Sequence, residues 1–178
     1  VQRPQLTPVA GFYTGAQNIT ITGPADATIR YTTDGTEPTT TSAAYSGPIN
    51  VAATTVIKAA CFSTIPGVPQ SFTETNTYFI DVDHGVCVVS ASGDEIPVLL
   101  NGNGGIRPLG CLEYFGADGV LRDEAIGEFN EHGQDSWAYD QRGFDYIVRD
   151  QTGYNDAIHY PVFGVTGRQK YQRLIIKA

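Results

Sequence analysis

Positive charge is scarce in this chain of 178 residues, which has 11 lysines and arginines against 19 aspartates and glutamates. The formal net charge of −8 would repel a polyanionic duplex, so we expect no nucleic-acid partner. No apolar run approaches the roughly 20 residues that a spanning helix needs, so we expect no membrane span. Methionine is absent even at position 1, so we expect a mature product after cleavage or a segment of a longer protein.

Charged residues of both signs make up only 17% of the sequence, below the roughly 25% of an average globular domain. The polar surface must therefore come from threonine, serine, asparagine, glutamine and glycine. This composition is typical of extracellular β proteins, so we predict a secreted or cell-surface location.

Cysteine is also sparse, and none of the pairs among Cys61, Cys87 and Cys111 has the C-x-x-C spacing of zinc or thioredoxin-like sites. Cys87 and Cys111 lie in apolar stretches that we interpret as strands. A disulfide between them is one interpretation in an oxidising compartment. The other is that all three are small buried hydrophobic residues. We expect Cys61 to be a free core residue.

Helix signals are nearly absent, because no window before residue 160 shows apolar residues at helical spacing. Alternating or β-branched runs occupy residues 18–22, 28–32, 54–62 and 71–80. Pairs such as Gly23-Pro24 and Gly47-Pro48 separate them, since proline and glycine favour turns. Short strands at about ten-residue spacing predict a β-sandwich of the immunoglobulin or fibronectin type.

The composition changes near residues 81–85. Residues 1–81 carry 3 basic and 5 acidic residues, whereas residues 82–178 carry 8 and 14 and contain the single tryptophan. We therefore predict two domains, residues 1–81 and 82–178. Apolar runs at 86–89, 96–100, 109–115, 144–148 and 174–176 indicate that the second domain is also β-rich, with little helix.

The segment Tyr31–Thr39 reads Y-T-T-D-G-T-E-P-T. It resembles the signature of the chitobiase/β-hexosaminidase C-terminal-type module. Residues 12–15, 45–49 and 55–59 resemble its other segments in the right order, so the resemblance covers about residues 7–80. It implies an immunoglobulin-like sandwich of the kind appended to secreted bacterial enzymes and surface proteins.

Within this motif, Asp34-Gly35 is a strong turn signal. Asp34, Glu37 and nearby hydroxyls form a candidate metal or sugar site, but we favour the turn, because aspartate tolerates left-handed backbone and can cap a turn.

Residues 112–119, L-E-Y-F-G-A-D-G, resemble the start of the spore-coat protein H (CotH) family of atypical kinases, and further segments extend this resemblance over about residues 85–178. It implies an incomplete kinase-like first lobe, because the family's catalytic aspartates fall downstream of the segment present here. We therefore expect a truncated region with no catalytic residues. Arg142 is the one candidate nucleotide contact. The alternative is a strand-edge arginine paired with Asp140 or Asp145.

Asp81 and Asp83 form a candidate calcium site, although calcium needs six to eight oxygen ligands and an acidic turn explains them equally well. Trp137 and Tyr139 lie in a polar, glycine-flanked stretch. Loop aromatics stack on sugars or anchor partner chains, but they also cap small cores, which we favour. Acidic residues and His132 around Trp137 are a weaker metal or acid–base candidate.

Our leading functional prediction is a non-catalytic extracellular segment that acts in surface architecture or adhesion. Its expected partners are other protein subunits or surface glycans, with self-association in a fibre, and no cofactor is expected beyond calcium. One alternative is the nucleotide-contacting front of a CotH-like kinase. A second is a carbohydrate-binding module.

Overall fold

The computed structural model describes residues 1–133, 142–164 and 167–177. The fold is mainly β, as predicted, with thirteen strands and one short helix in the described residues. Two compact units are present, the first comprising Val1–Val88 with Phe115–Leu121 and the second Val89–Tyr114 with Arg122–Ala178. The domain boundary after Asp81 stays a prediction.

The first unit contains two sheets. Its strands, in chain order, are β1 (Gln5–Thr7), β2 (Gly11–Tyr13), β3 (Gln17–Thr22), β4 (Ala27–Thr32), β5 (Ala43–Ala44), β6 (Ile49–Val51), β7 (Thr55–Ser63) and β8 (Glu74–Ile80). One sheet has the order β1-β3-β6 and the other β2-β8-β7-β4-β5. Strand pairing is antiparallel except between β2 and β8, which run parallel.

The core of the first unit lies between these sheets. Ile19 and Ile21 of β3 point inward from the three-stranded sheet, with exposed residues on either side of them. Ile57 of β7 and Tyr78 of β8 meet them from the five-stranded sheet. Alternate residues of a strand face opposite sides, so the alternating sequence buries one face of β3. This packing confirms the predicted sandwich.

The second unit is built on one sheet of order β13-β12-β11-β10-β9. Its elements are β9 (Val88–Ser92), α1 (Ile96–Leu100), β10 (Leu109–Phe115), β11 (Leu121–Glu131), β12 (Phe144–Val148) and β13 (Arg173–Ile176). Ile96 and Leu99 of the helix pack with Phe129 of β11 and Tyr146 of β12 in its core. The second region is therefore β-rich with little helix, as predicted.

The apolar run at residues 96–100 forms the helix α1 in this β-rich region. A run of five apolar residues does not distinguish a buried strand from a buried helix by periodicity. Pro97 lies in the first turn, where its fixed φ suits a helix and its missing N–H is not needed.

All three cysteines are free thiols, so the predicted Cys87–Cys111 disulfide is not formed in this structure. Cys111 is fully buried in β10, whereas Cys87 is exposed and precedes β9 by one residue. Cys61 is a buried core residue of β7, as expected.

Candidate functional site

The Tyr31–Thr39 motif contains a hydrogen-bonded turn. Asp34 Oδ1 accepts hydrogen bonds from the Thr36 amide at 3.1 Å and the Thr36 hydroxyl at 2.6 Å. Gly35 follows at φ 79°, in the left-handed region that favours glycine. The Thr36 hydroxyl and then its amide lower the pKa of Asp34, because both bonds stabilise the charged carboxylate. Asp34 thus has the turn role that we favoured.

Glu37 ties the same motif to the five-stranded sheet. Its carboxylate pairs with Lys58 Nζ on β7, and its other oxygen accepts a hydrogen bond from the Thr73 hydroxyl at 2.9 Å. The Lys58 side chain is fully buried, and a buried ammonium is stable only when it is paired and hydrogen-bonded. Glu37 therefore contributes to folding, which leaves the motif's metal or sugar interpretation without support.

A cavity in the first unit is the best candidate site. Three segments, residues 12–14, 81–86 and 116–119, line an open cavity of about 630 Å³. Asp81 has a φ of 54°, in the left-handed region that aspartate tolerates better than most residues. The Asp81 amide donates to Tyr13 O at 2.9 Å, which fixes the second segment against the first.

Aromatic rings form one side of this cavity. Phe12 stacks on Phe79 with ring centroids 4.3 Å apart and planes 13° apart. The exposed His84 ring stands nearly perpendicular to both, with centroids 5.9 Å from Phe12 and 6.2 Å from Phe79. Phe115 packs edge-on against the same stack. The Phe12 wall therefore rests on buried rings and has a fixed position.

Three exposed carboxylates, from Asp81, Asp83 and Asp118, also line the cavity. Each accepts a hydrogen bond from a backbone amide: Asp81 Oδ1 from Gly15 at 2.7 Å, Asp83 Oδ1 from Gly85 at 3.0 Å, and Asp118 Oδ1 from Val120 at 3.3 Å. The cavity is thus an acidic, partly aromatic pocket with oriented hydrogen-bond acceptors.

The calcium site at Asp81 and Asp83 stays a prediction. Within residues 1–133, 142–164 and 167–177, no group of three or more His, Cys, Asp or Glu side chains is arranged to hold a metal ion. Both carboxylates border the cavity but accept from local backbone amides, which fits the acidic-turn alternative.

Arg142, the candidate nucleotide contact, anchors a loop in the second unit. Its Nη1 donates to Leu100 O at 2.8 Å at the end of α1. Its guanidinium also lies close to Gly102, since a Cβ there would be 3.3 Å from Nη2. Asp145, one of the expected partners, pairs instead with Arg173 on β13. The nucleotide role of Arg142 stays a prediction.

Trp137 and Tyr139, the candidate sugar or partner contacts, lie outside the described residues. In the acidic segment around them, Glu128 forms an ion pair with Arg149 at 3.3 Å and accepts a hydrogen bond from Asn130 at 3.1 Å. The hydrogen bond from Asn130 is the largest cause of the lowered pKa of Glu128, and the contact with Arg149 lowers it further. Glu128 therefore has a role in folding the second unit.

Phe12, His84 and Asp118 are not predicted as site residues from the sequence, because they are far apart in the chain and carry no common motif. The one local signal was the pair Asp118-Gly119, a turn dipeptide like Asp34-Gly35. An exposed cluster in the second unit is also absent from the sequence-based candidates: Asp156 contacts His159 Nε2 at 2.7 Å and Lys170 Nζ at 2.5 Å.

Comparison with known families supports the first resemblance. Residues 8–73 match the chitobiase/beta-hexosaminidase C-terminal domain, which indicates a carbohydrate-associated or structural module. The match covers less than half of the chain, and no family match supports the CotH-like region. No curated protein matches the chain, and no solved structure matches it. In the described residues, no helix combines the length and apolar character needed to cross a membrane.

Proposed function

We propose that this chain is a non-catalytic segment of an extracellular or cell-surface protein, with a role in surface architecture or adhesion. The observation that carries the proposal is the use of the motif's charged residues. Asp34 closes a turn and Glu37 pairs with the buried Lys58, so both residues hold the sandwich together. Motif residues whose charges serve the fold in this way suit an accessory module.

The surface composition supports the same proposal. Only 17% of the residues are charged, and the exposed positions of β3 carry asparagine and threonine. Within the described residues, the edge strands β1, β6 and β5 of the first unit have no further strand on their outer side. Such edges are places where another chain can add a strand. Other protein subunits or further copies of this chain are therefore the proposed partners.

Protease shaving of intact cells tests the location, and light scattering of the purified chain over a concentration series tests self-association. We expect the protein to be removed from the cell surface and to associate with itself or with a surface component. A monomer at every concentration that also stays inside the cell would overturn the proposal.

Carbohydrate recognition is the second candidate, and the cavity beside Phe12 favours it. Sugar sites combine an apolar surface with polar groups that fix orientation, and this cavity offers both. A glycan array with the intact chain tests the idea. His84→Ala tests the cavity, and Trp137→Ala tests the other predicted sugar contact. Binding that survives both substitutions would argue against both sites.

A CotH-like nucleotide-contacting role is the third candidate, and it rests on the sequence resemblance of residues 85–178. Calorimetry with ATP and magnesium tests it directly. Heat of binding that disappears in Arg142→Ala, while the thermal melt is unchanged, would favour the role. Absence of any heat would count against it. Arg149→Ala is a matched control, since Arg149 is another half-exposed arginine of this unit.

A further inference from the structure

We propose that the cavity formed by residues 12–14, 81–86 and 116–119 binds a sugar unit that carries a protonated amino group. The inference rests on the proposed carbohydrate recognition and names its ligand class. The cavity is lined by three carboxylates, from Asp81, Asp83 and Asp118, against one histidine, His84, and no lysine or arginine is among its lining residues. Such a site attracts cations and repels phosphates, uronic acids and nucleotides.

The distribution of this negative charge points to an organic cation. No three acidic or histidine side chains in the described part of the chain are arranged around a metal ion. The carboxylates are instead spread along two segments of the cavity, Asp81 and Asp83 on one and Asp118 on the other. An ammonium group can pair with a single carboxylate and does not require several of them to converge.

The carboxylates are positioned before any ligand arrives. A backbone amide donates to Oδ1 of each, at 2.7 Å for Asp81, 3.0 Å for Asp83 and 3.3 Å for Asp118. A carboxylate has about four acceptor sites, so one amide uses only part of its capacity. Asp81 and Asp83 can therefore accept from sugar hydroxyls or an ammonium without first losing freedom of rotation.

Size and surface favour a sugar over a lysine side chain. The volume of about 630 Å³ lies in the usual small-molecule range of about 300–1,000 Å³ and far exceeds the space that one side-chain ammonium fills. Phe12, Val82 and Val86 add apolar surface. A sugar ring matches both features, since it has apolar C–H faces and a rim of hydroxyls.

The test uses NMR titration of the intact chain with three probes in mildly acidic, low-salt buffer. The probes are a glucosamine oligosaccharide with free amino groups, the same oligosaccharide fully N-acetylated, and a lysine-rich peptide of matched charge. We expect only the free-amine oligosaccharide to shift the resonances of residues 81–86 and 116–119. Its affinity should fall when salt is added, because salt screens exposed charges.

Asp83→Asn and Asp118→Asn are the informative variants, because asparagine keeps an Oδ1 that can accept the Gly85 or Val120 amide while the charge is lost. Each should weaken binding about threefold to tenfold, as for one charge-assisted contact at a partly exposed site. Asp26→Asn is the matched control: it removes the same charge from an exposed position of the first unit outside the cavity. Circular dichroism checks that all variants fold.

The outcomes separate this inference from the function on which it rests. Equal binding of the acetylated and free-amine probes would overturn the charge inference and leave carbohydrate recognition intact. Binding of neither oligosaccharide would overturn both. Binding of the lysine peptide alone would overturn the sugar assignment and make the cavity a protein contact. An equal loss of affinity in Asp26→Asn would overturn the assignment to the cavity.

Discussion

The ammonium of Lys58, fully buried in β7, is paired with the carboxylate of Glu37, 21 residues earlier in the chain. Lys58 belongs to the T-V-I-K-A segment and Glu37 to the Y-T-T-D-G-T-E-P-T segment. Two parts of the family resemblance that look independent in the sequence are therefore joined by one ion pair. Thr73 adds a hydroxyl to the same carboxylate from just before β8.

Removing one partner of this pair should destabilise the first unit. Glu37→Ala would remove the carboxylate that pairs with the buried Lys58 ammonium. We expect a loss of about 2–3 kcal/mol in the free energy of unfolding, less than for a fully buried pair because Glu37 is 39% exposed. Urea unfolding followed by circular dichroism measures it.

The double variant Lys58→Met/Glu37→Gln is the control for that experiment. It removes both charges at once, and an uncharged, similarly sized pair often costs little. We expect it to recover most of the stability that Glu37→Ala loses. If Glu37→Ala unfolds at the wild-type urea concentration, the ion pair does not stabilise the fold.

Much of the first unit was predictable, because its strands are short and alternate cleanly. The runs at residues 18–22 and 28–32 lie within β3 and β4, and the run at 54–62 overlaps nearly all of β7. One face of β3 is buried, so period-two patterning carries the information. The run at 71–80 contains β8, but its first residues form no strand.

Most of the longest strand, β11, is not predicted from the sequence, and its composition explains why. Residues 121–131 include five charged side chains, which usually indicate a loop. Their partners come from distant segments: Arg149 pairs with Glu128, Tyr154 donates to Glu124, and Asn155 donates to Asp123. Local sequence cannot show such partners.

The cavity could not be predicted for the same reason. The sequence marks Asp81 and Asp83 as a candidate pair, but Phe12 and Asp118 lie beside them only in the folded chain.

The buried phenol of Tyr146 gives a prediction for the second unit. Tyr146 has no exposed surface, and its hydroxyl donates to Ala125 O at 2.6 Å in the neighbouring strand. Tyr146→Phe keeps the ring but removes the donor, which should cost about 1–3 kcal/mol of unfolding free energy. Thermal denaturation measures it, with Tyr45→Phe, a half-buried tyrosine of the first unit, as control. Equal melting temperatures for wild type and Tyr146→Phe would contradict the prediction.

Tyr146 also predicts a loss of stability in alkali. Burial, the main cause, raises the pKa of Tyr146 well above its ordinary value of 10.0. The folded state therefore keeps this proton at pH values where the unfolded chain releases it. Stability from this residue is intact below about pH 10 and falls as the pH rises above it. Tyr146→Phe should show a shallower decline above pH 10 than wild type, and parallel declines would contradict the assignment.

The Asp156 carboxylate leads us to predict a loss of folding stability at acidic pH. The hydrogen bond from Lys170, followed by that from His159, lowers the pKa of Asp156 to about 2 from 3.8. A carboxylate with a lowered folded pKa adds stability above its unfolded pKa and loses it as the pH falls through the folded value. The stabilisation from Asp156 should therefore fade between about pH 4 and pH 2, and added salt should weaken it because the groups are exposed.

NMR titration of the Asp156 carboxyl carbon measures its pKa, and Lys170→Ala should raise that pKa. An unchanged pKa in Lys170→Ala would show that the pair does not form in solution.

Thiol reactivity distinguishes the free cysteines of the structure from the predicted Cys87–Cys111 disulfide. Thiolate is the reactive form, and burial raises the pKa of the Cys61 thiol, which lowers its reactivity further. The exposed Cys87 should therefore react quickly in the native protein, while Cys61 and Cys111 should react only after unfolding. Labelling with a maleimide and counting adducts by mass spectrometry should give one native and three denatured thiols. If Cys87 and Cys111 are bonded, the native count is zero and the unfolded count is one, and reduction restores the other two. Protein isolated from an oxidising compartment is the decisive sample, because a disulfide can persist only there.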